Sequence, residues 1–421
     1  MVMGELSQET ELLVIGGGPG GYAAAFRAAD LGLDVTLVEI SEKPGGVCLF
    51  RGCIPSKAYL HLAELIHDAA HAGAMGLKFG SPEIDLENVR NYKNRVVEKL
   101  ADGLVSLGKS RGVQRIRGRA AFENSKTVRI FDSDVSHIKF RQAILSTGSH
   151  PTPFPGVPFK KGGRIMNSTG ALALAEVPKS LLVIGGGYVG LELGSVYAAL
   201  GSRVSVVELG DRLLPGIDAD LVEPLKRRLE KLFASIMLNT KVKGLEESLD
   251  RVKVTFEGDV DPAEQEFDRV LVAIGRRANT ANIGVENTSV EVDDRGFVKV
   301  NERQQTTGEN IYAVGDVVGG MMLAHKASYE GKIAAEVIAG EPSAFDARAI
   351  PAVVYTDPQV AYCGLTEEEA HQQGKKIEVN RFPWKFSGRA ATMDAGEGLT
   401  KMIIDPDTGR ILGVGVTCLL Y

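Results

Sequence analysis

Short apolar runs that lead into glycine-rich turns are the clearest pattern along the chain. The run at residues 12–15 precedes Gly16, Gly18 and Gly21, and an alanine-rich stretch that predicts a helix comes next. A second apolar run then ends on the carboxylate of Glu39. A strand, a G-x-G-x-x-G turn, a helix and a strand that closes on an acid form a Rossmann-like βαβ unit. The pattern therefore predicts an α/β fold.

The same pattern returns 169 residues later, in register and without a gap. The second copy contains Gly185, Gly187 and Gly190 and closes on Glu208. In both copies the acid lies 23 residues after the first glycine, where a carboxylate binds a ribose 2′-hydroxyl. One such glycine motif is a weak signal, because glycine turns also occur in α/β sheets that bind no nucleotide. Two complete copies predict two dinucleotide-binding domains, with a pyrophosphate at each helix N-terminus.

Glu208 also favours NAD over NADP in the second copy. A carboxylate at this position repels a 2′-phosphate, and the next two residues, Leu209 and Gly210, offer no cation to receive one. Arg203 and Arg212 are nearby in the sequence but lie outside that turn.

Composition restricts the partners and the compartment. The chain has 421 residues, enough for two to four domains, and a formal net charge of −6 makes nucleic acid an unexpected partner. No apolar run reaches membrane-spanning length, and the acidic Glu5 and Glu9 do not fit a signal or transit peptide. Four cysteines do not make a disulfide scaffold. We therefore expect a cytoplasmic protein, with no membrane partner and no metal site.

Cys48 and Cys53 follow the first glycine motif closely. An ideal helix holds residues five positions apart at roughly 8 Å between Cα atoms, so a disulfide between them needs a distorted turn. Gly52 and Pro55 permit such a distortion. Two thiols beside a redox cofactor can exchange two electrons as a disulfide. The alternative is a pair of buried, unpaired thiols, which are common in protein cores.

Together these motifs resemble the flavin-dependent pyridine nucleotide-disulfide oxidoreductases over nearly the whole chain, from about residue 11 to residue 416. The string GGVCLFRGCIPSK at residues 45–57 is more similar to the lipoamide-oxidising members than to the glutathione reductases. Phe50 departs from the Asn that many members carry. Further strings that match the family in order lie at residues 144–149, 273–277, 311–316 and 323–327.

The resemblance implies FAD on the first glycine motif and NAD on the second. It assigns further residues to FAD, namely Lys57, Thr147, Gly148, Ser149, Asp316 and Ala324, and assigns Gly275 to NAD. Asp316 is expected to bind a ribityl hydroxyl, although a Gly-Asp pair alone is an ordinary turn. Lys57 is expected near flavin N5 with Glu192 as its ion-pair partner, and a helix-surface charge is the alternative for each. Tyr188 either covers the flavin or packs in the core.

The resemblance also implies the reaction. Dihydrolipoamide, free or on a lipoyl domain of a 2-oxo acid dehydrogenase complex, is expected to attack Cys48 as a thiolate. Cys53 then leaves as a thiolate beside the flavin, and a hydride finally passes to NAD⁺. A helix that begins near Ile54 would stabilise the Cys53 thiolate with its positive end.

The family's general base has no counterpart in this sequence. Relatives continue beyond residue 416 to a His-Pro segment followed by Glu, and that His acts on the substrate thiol from the partner subunit of a homodimer. The last histidine here is His371, which lies beside three glutamates and is expected to be solvated. Two alternatives therefore stay open. One is another NAD(P)H-dependent disulfide or mercuric reductase, and the other is a flavin- and NAD-binding protein impaired in catalysis. Dimerisation is expected to be weak or altered.

The predicted organisation has four parts. They are an FAD-binding domain at 1–150, an NAD-binding domain at 151–279, a central domain at 280–345 and an incomplete α+β interface domain at 346–421. The proline-rich run at 151–156 marks the first boundary, because prolines stop both helices and central strands.

Overall fold

The computed structural model describes Ser7 to Cys418. Residues 1–6, which include Glu5, and residues 419–421 lie outside the described residues, and so do the outer ends of the first and last predicted domains. Contacts divide the chain into two compact units. The first unit contains the residues up to 55, 94–150 and 276–347, and the second contains 56–93, 151–275 and 348 onward. The division into four domains stays a prediction.

Helices and strands alternate over much of the chain, and the predicted α/β class is confirmed. The α-helices are α1 (Pro19–Asp30), α2 (Gly46–Arg51), α3 (Cys53–His71), α4 (Leu86–Ser110), α5 (Ser168–Ala173), α6 (Tyr188–Ala199), α7 (Ala219–Leu232), α8 (Ala324–Ile338), α9 (Glu367–Gln372) and α10 (Gly388–Thr392). Single 3₁₀ turns lie at Ala72–Met75, Val285–Asn287, Gly315–Val318 and Trp384–Phe386. Within residues 7–418, no helix is both long and apolar enough to span a membrane.

The strands are mostly short. In chain order they are β1 (Ser7–Ile15), β2 (Val35–Glu39), β3 (Gln114–Arg117), β4 (Arg119–Asn124), β5 (Thr127–Phe131), β6 (His137–Leu145), β7 (Ser149–Pro151), β8 (Ile165–Met166), β9 (Ser180–Ile184), β10 (Arg203–Val207), β11 (Ser235–Met237), β12 (Lys241–Glu247), β13 (Val252–Glu257), β14 (Glu264–Phe267), β15 (Arg269–Val272), β16 (Arg276–Ala278), β17 (Ile311–Ala313), β18 (Ala352–Val354), β19 (Gln359–Gly364), β20 (Glu378–Pro383), β21 (Leu399–Ile404) and β22 (Ile411–Cys418).

The first unit is built on a seven-stranded sheet in the order β3-β2-β1-β6-β5-β4, with β17 also paired to β6. The strands β1, β2, β3, β6 and β17 run parallel. Their carboxyl ends therefore meet at one edge, which is where open α/β sheets bind ligands. The strands β4 and β5 extend the sheet in antiparallel pairing.

The second unit contains a parallel five-stranded sheet in the order β11-β10-β9-β15-β8. Two antiparallel sheets accompany it within the same unit, β12-β13-β14 and β18-β19-β22-β21-β20. The carboxyl ends of β9, β10 and β15 again meet at one edge, so each unit has an edge suited to a ligand.

Burial on both faces explains why residues 12–15 of β1 and residues 181–184 of β9 are apolar without interruption. In β1, Leu12 packs in one core cluster and Leu13 in another, on opposite faces of the sheet. In β9, Leu181 and Leu182 divide in the same way. A parallel strand covered on both faces has no position at which a polar side chain reaches water.

A buried ammonium group holds three carboxylates together in the second unit. The side chain of Lys401 is 1% exposed, and its Nζ lies 2.8 Å from Asp218, 3.0 Å from Asp220 and 2.8 Å from Glu367. These carboxylates lie close enough together for a metal ion, but the lysine already supplies the positive charge between them. Arg381 adds a second cation, 2.7 Å from Asp220 and 2.7 Å from Glu367.

The same cluster sets the protonation of two of its members. Burial alone would raise the pKa of Asp220, but hydrogen bonds from Arg381 and Lys401 outweigh it and lower that pKa below its usual value. Burial alone would lower the pKa of Lys401, but its hydrogen bonds to the three carboxylates raise it. The cluster therefore favours the charged forms of Asp220 and Lys401.

Replacing Lys401 with methionine is expected to lower the free energy of unfolding by about 3–5 kcal/mol at pH 7, because the buried carboxylate of Asp218 loses its cation. The lowered pKa of Asp220 stabilises the fold above the pKa of the unfolded chain, and this contribution is lost as the pH falls. The cost of K401M should therefore shrink towards pH 4. Urea unfolding of the parent and of K401M at pH 7 and at about pH 4 measures this loss of free energy. The surface variant K243M, which removes an exposed pair with Glu257, should change little.

An equal loss in K401M and K243M would contradict the importance of the buried cluster. A cost for K401M that grows as the pH falls would contradict the assigned charges.

Candidate active site

The first glycine turn joins β1 to α1 with little room for side chains. Gly16 has φ of +100°, and a Cβ there would lie 2.3 Å from Ser146 O. A Cβ on Gly21 would lie 1.8 Å from Gly16 O, so the helix packs directly on the turn. Beside Gly18, the nearest described atom to such a Cβ is Gly46 Cα at 3.8 Å. The backbone at Gly18 is therefore open to a close ligand, the geometry that a pyrophosphate needs.

The second glycine turn, between β9 and α6, repeats this arrangement in the second unit. Gly185 has φ of +107°, and a Cβ there would lie 2.5 Å from Ala273 O. A Cβ on Gly190 would lie 2.3 Å from Gly185 O. At Gly187, no heavy atom of the described residues lies within 4 Å of where a Cβ would be, apart from the chain neighbours. Both turns therefore fit a dinucleotide.

The two acids are anchored in the same way. Glu39 Oε2 accepts a hydrogen bond from Gly17 N at 2.6 Å, and Oε1 accepts one from Ser41 N at 2.8 Å. Glu208 Oε2 accepts a hydrogen bond from Gly186 N at 2.6 Å, and Oε1 accepts one from Gly210 N at 2.8 Å. Each carboxylate is thus fixed beside its own glycine turn, with lone pairs left to accept ribose hydroxyls.

Three of the residues assigned to FAD come together at the carboxyl edge of the first sheet. Thr147 follows β6 and Asp316 follows β17, and these strands are parallel neighbours. Ser149 Oγ donates a short hydrogen bond to Asp316 Oδ2. Arg276 Nε donates to Ser149 Oγ at 2.7 Å and lies 3.8 Å from Asp316 Oδ2. The carboxylate of Asp316 is therefore held by a serine and balanced by an arginine.

The remaining predicted cofactor residues lie at turns and at a helix start. Gly148 has φ of +70° and Gly275 has φ of +120°. If either glycine carried a Cβ, no described heavy atom other than those of its chain neighbours would lie within 4 Å of it. Thr147 Oγ1 donates to Asn279 O at 2.8 Å. Ala324 is the first residue of α8. The two glycines leave space that a ligand could occupy.

The cysteine segment is a broken helix. Cys48 lies in α2 and Cys53 begins α3, and the break falls at Gly52, with φ of −150° and ψ of −112°. A Cβ on Gly52 would lie 3.0 Å from Val47 O, so the break requires a small residue. The distorted turn expected between the cysteines is therefore present.

This segment is attached to the first glycine turn. Gly45 N donates to Gly17 O at 2.7 Å. Tyr22, on α1, lies close enough to both cysteines for their charge to affect the pKa of its hydroxyl. Burial raises the pKa of its hydroxyl, and the thiolate charges of Cys48 and Cys53 raise it further. Both cysteines, each half-buried, therefore lie close to the first glycine turn.

Lys57 and Glu192 meet within the second unit. Lys57 Nζ lies 2.8 Å from Glu192 Oε2, and the Glu192 side chain is 3% exposed. The structure adds Tyr355, which sequence analysis missed. Its backbone N donates to Glu192 Oε1 at 3.0 Å, and its ring centroid lies 4.4 Å from Lys57 Nζ. Tyr188 is 41% exposed, which argues against a core role for it.

Two residues were missed because their partners are distant in the sequence. Arg276 directly follows Gly275 and lies in the string at residues 273–277 that matches the family, and this position was the one sequence feature that could have indicated it. Tyr355 lies in a β-rich segment without any motif, so nothing in the sequence indicated it.

Family comparison identifies the class of protein that this fold and site define. Residues 10–331 match the pyridine nucleotide-disulphide oxidoreductase family, and residues 350–419 match the family's dimerisation domain. The chain therefore belongs to the pyridine nucleotide-disulphide oxidoreductases. Members bind FAD and NAD(H), which fit the two glycine turns.

Individual relatives narrow the class. The chain is 48% identical to a dihydrolipoyl dehydrogenase of Haemophilus influenzae, over 96% of this chain and 85% of the relative. It is 44% identical to a dihydrolipoyl dehydrogenase of Bacillus subtilis, over 99% and 88%. Among solved structures, the HOCl-induced flavoprotein disulfide reductase RclA of Escherichia coli matches with a TM-score of 0.84 at 30% identity, over 97% and 90%. LpdA of Mycobacterium tuberculosis matches with a TM-score of 0.88 at 25% identity, over 97% and 90%.

Two glycine-to-alanine variants separate ligand contact from packing in the second turn. Gly187 has φ of −78°, which any residue adopts, so G187A should leave stability unchanged. Its methyl group should weaken NAD binding by about tenfold to a hundredfold, through lost phosphate hydrogen bonds. G190A should lower both stability and NAD affinity, because its Cβ meets a carbonyl at 2.3 Å. Thermal unfolding and NADH titration measure the two effects.

The control is G103A, an exposed position on α4 that should leave NAD affinity unchanged. Full NAD affinity in G187A would contradict the placement of the pyrophosphate.

Proposed function

We propose that the chain oxidises dihydrolipoamide to lipoamide through a disulfide between Cys48 and Cys53, with NAD⁺ as the final electron acceptor. The observation that carries this proposal is the attachment of the cysteine segment to the first glycine turn, through the 2.7 Å hydrogen bond from Gly45 N to Gly17 O. Relatives of similar length that are 48% and 44% identical carry the name of this activity.

The thiol chemistry follows from the two cysteines. A substrate thiolate attacks Cys48 Sγ; a bond forms between these two sulfurs, and the Cys48–Cys53 bond breaks. Cys53 keeps the bond's electron pair as a thiolate. The second substrate thiolate then attacks the first substrate sulfur, which closes the lipoamide disulfide and releases Cys48. The substrate thus loses two electrons and two protons. Bound FAD supplies the two-electron chemistry that connects the resulting dithiol to NAD⁺.

The chain's own groups favour this division of labour between the sulfurs. Cys53 is the first residue of the 19-residue helix α3, whose positive end stabilises a thiolate there. Lys57 lies one turn further along, held by the buried Glu192 and by Tyr355. We assign this lysine to the flavin environment, since a buried ion pair adds little stability by itself.

The second glycine turn supports NAD as the acceptor. Both oxygens of Glu208 accept backbone hydrogen bonds, so the carboxylate cannot turn away to admit a 2′-phosphate. Its charge repels such a phosphate and accepts a ribose hydroxyl instead.

We extend the proposal to the partners and the compartment. The match of residues 350–419 to a dimerisation domain supports a homodimer. The name shared by the relatives supports a lipoyl domain of a 2-oxo acid dehydrogenase complex as the natural substrate. Four cysteines without a disulfide scaffold support the cytoplasm.

Serine variants test the roles of the two sulfurs. C48S and C53S should each lose dihydrolipoamide oxidation by more than about a thousandfold, because neither can form the disulfide. C48S should retain a long-wavelength absorption band from the Cys53 thiolate beside the flavin, and C53S should lack it. Stopped-flow turnover and anaerobic absorption spectra measure both. The control C363S should keep full activity.

A band of equal strength in C53S would contradict the assignment of Cys53. Complete bleaching of the flavin by NADH without any response to dihydrolipoamide would contradict the substrate and favour a different disulfide.

A further inference from the structure

A buried ion pair on α8 has no part in the chemistry described above. Lys326 and Glu330 lie one helical turn apart, with Nζ 2.6 Å from Oε1 and side chains only 9% and 4% exposed. Removing two charges from water is costly, and apolar residues of similar size often serve stability as well. Stability alone therefore does not account for this pair.

The pair brackets the 3₁₀ turn Gly315–Val318 at both ends. Glu330 Oε2 accepts a hydrogen bond from Gly315 N at 2.8 Å. Lys326 Nζ donates to Gly319 O at 3.1 Å. Asp316 is the second residue of this turn, so its backbone lies between the two hydrogen bonds.

This turn needs restraint from outside. Gly315, Gly319 and Gly320 have φ of +81°, +78° and +67°, in the left-handed region that glycine enters freely. A segment rich in such residues has many conformations open to it, and these glycines carry no side chain that could pack and limit the choice. The ion pair supplies fixed partners at both ends instead.

The charges around Asp316 are also balanced by this pair. Burial raises the pKa of Glu330, the charge of Lys326 lowers it, and the nearby charge of Asp316 raises it again. Two carboxylates, Glu330 and Asp316, are thus offset by Lys326 and by Arg276, the latter 3.8 Å from Asp316.

We propose that Lys326 and Glu330 are positioning residues for FAD, which hold the turn Gly315–Val318 in the one conformation that presents Asp316 to the cofactor. This inference rests on the proposed role of Asp316 and deepens it. It predicts that the pair matters for cofactor affinity even when its removal does not disturb the fold.

The double variant K326M/E330L tests this, because it replaces the pair with apolar residues and leaves no buried charge without a partner. It should fold and bind NAD within about twofold of the parent, yet bind FAD about tenfold to a hundredfold more weakly through misplacement of Asp316. FAD release from the diluted holoenzyme, followed by flavin fluorescence, gives the affinity. NADH titration of the same sample monitors folding in the second unit.

The matched control is K226M/E230L, which removes a solvent-exposed pair of the same residue types and spacing on α7, with Nζ 3.8 Å from Oε1. It should bind FAD within about twofold of the parent. The proposal is overturned if K326M/E330L retains parental FAD affinity, if the control weakens FAD equally, or if K326M/E330L also loses NAD binding. The variant D316N distinguishes a failure of the proposed role of Asp316 from a failure of the proposed role of the ion pair. Unchanged FAD affinity in D316N refutes the role of Asp316, whereas a loss in D316N but not in the double variant refutes only the ion pair.

Discussion

The structure depends on one close contact between a helix and the turn that precedes it, and this contact occurs once in each of the two glycine motifs. The third glycine of each turn lies so near the first that a Cβ would come within 1.8 Å of a carbonyl oxygen in one copy and 2.3 Å in the other. This contact brings the helix N-terminus to the carboxyl end of the strand. The N–H groups of the first helical turn and the open space at the second glycine lie at this end, beside the acid that accepts a hydrogen bond from the residue between the first two glycines.

The position of the cysteine segment depends indirectly on the same contact. The cysteine segment hydrogen-bonds to the first turn through Gly45, so the position of the turn determines where Cys48 and Cys53 lie. The break at Gly52 then places the two sulfurs in different helices: Cys48 lies within the six-residue α2, and Cys53 is the first residue of the 19-residue α3. Two identical side chains thus acquire different environments from the backbone alone.

Local constraints were predictable from the sequence, and long-range ones were not. Gly16, Gly21 and Glu39 could be assigned because a short backbone motif determines what they contact. Lys57 and Glu192 could be paired only through the family resemblance. Arg276 and Tyr355 escaped prediction, because their partners belong to segments far along the chain that only the folded sheets bring near.

The pairing of β17 with β6 has a consequence for biosynthesis. The strand β17, which leads into the turn that contains Asp316, belongs to the first sheet, yet the ribosome makes it only after the whole parallel sheet of the second unit. The first unit therefore cannot complete its cofactor edge as its own residues emerge and must wait with β6 partly uncovered. The carboxyl edge that contains the first glycine turn is thus finished later than the edge that contains the second.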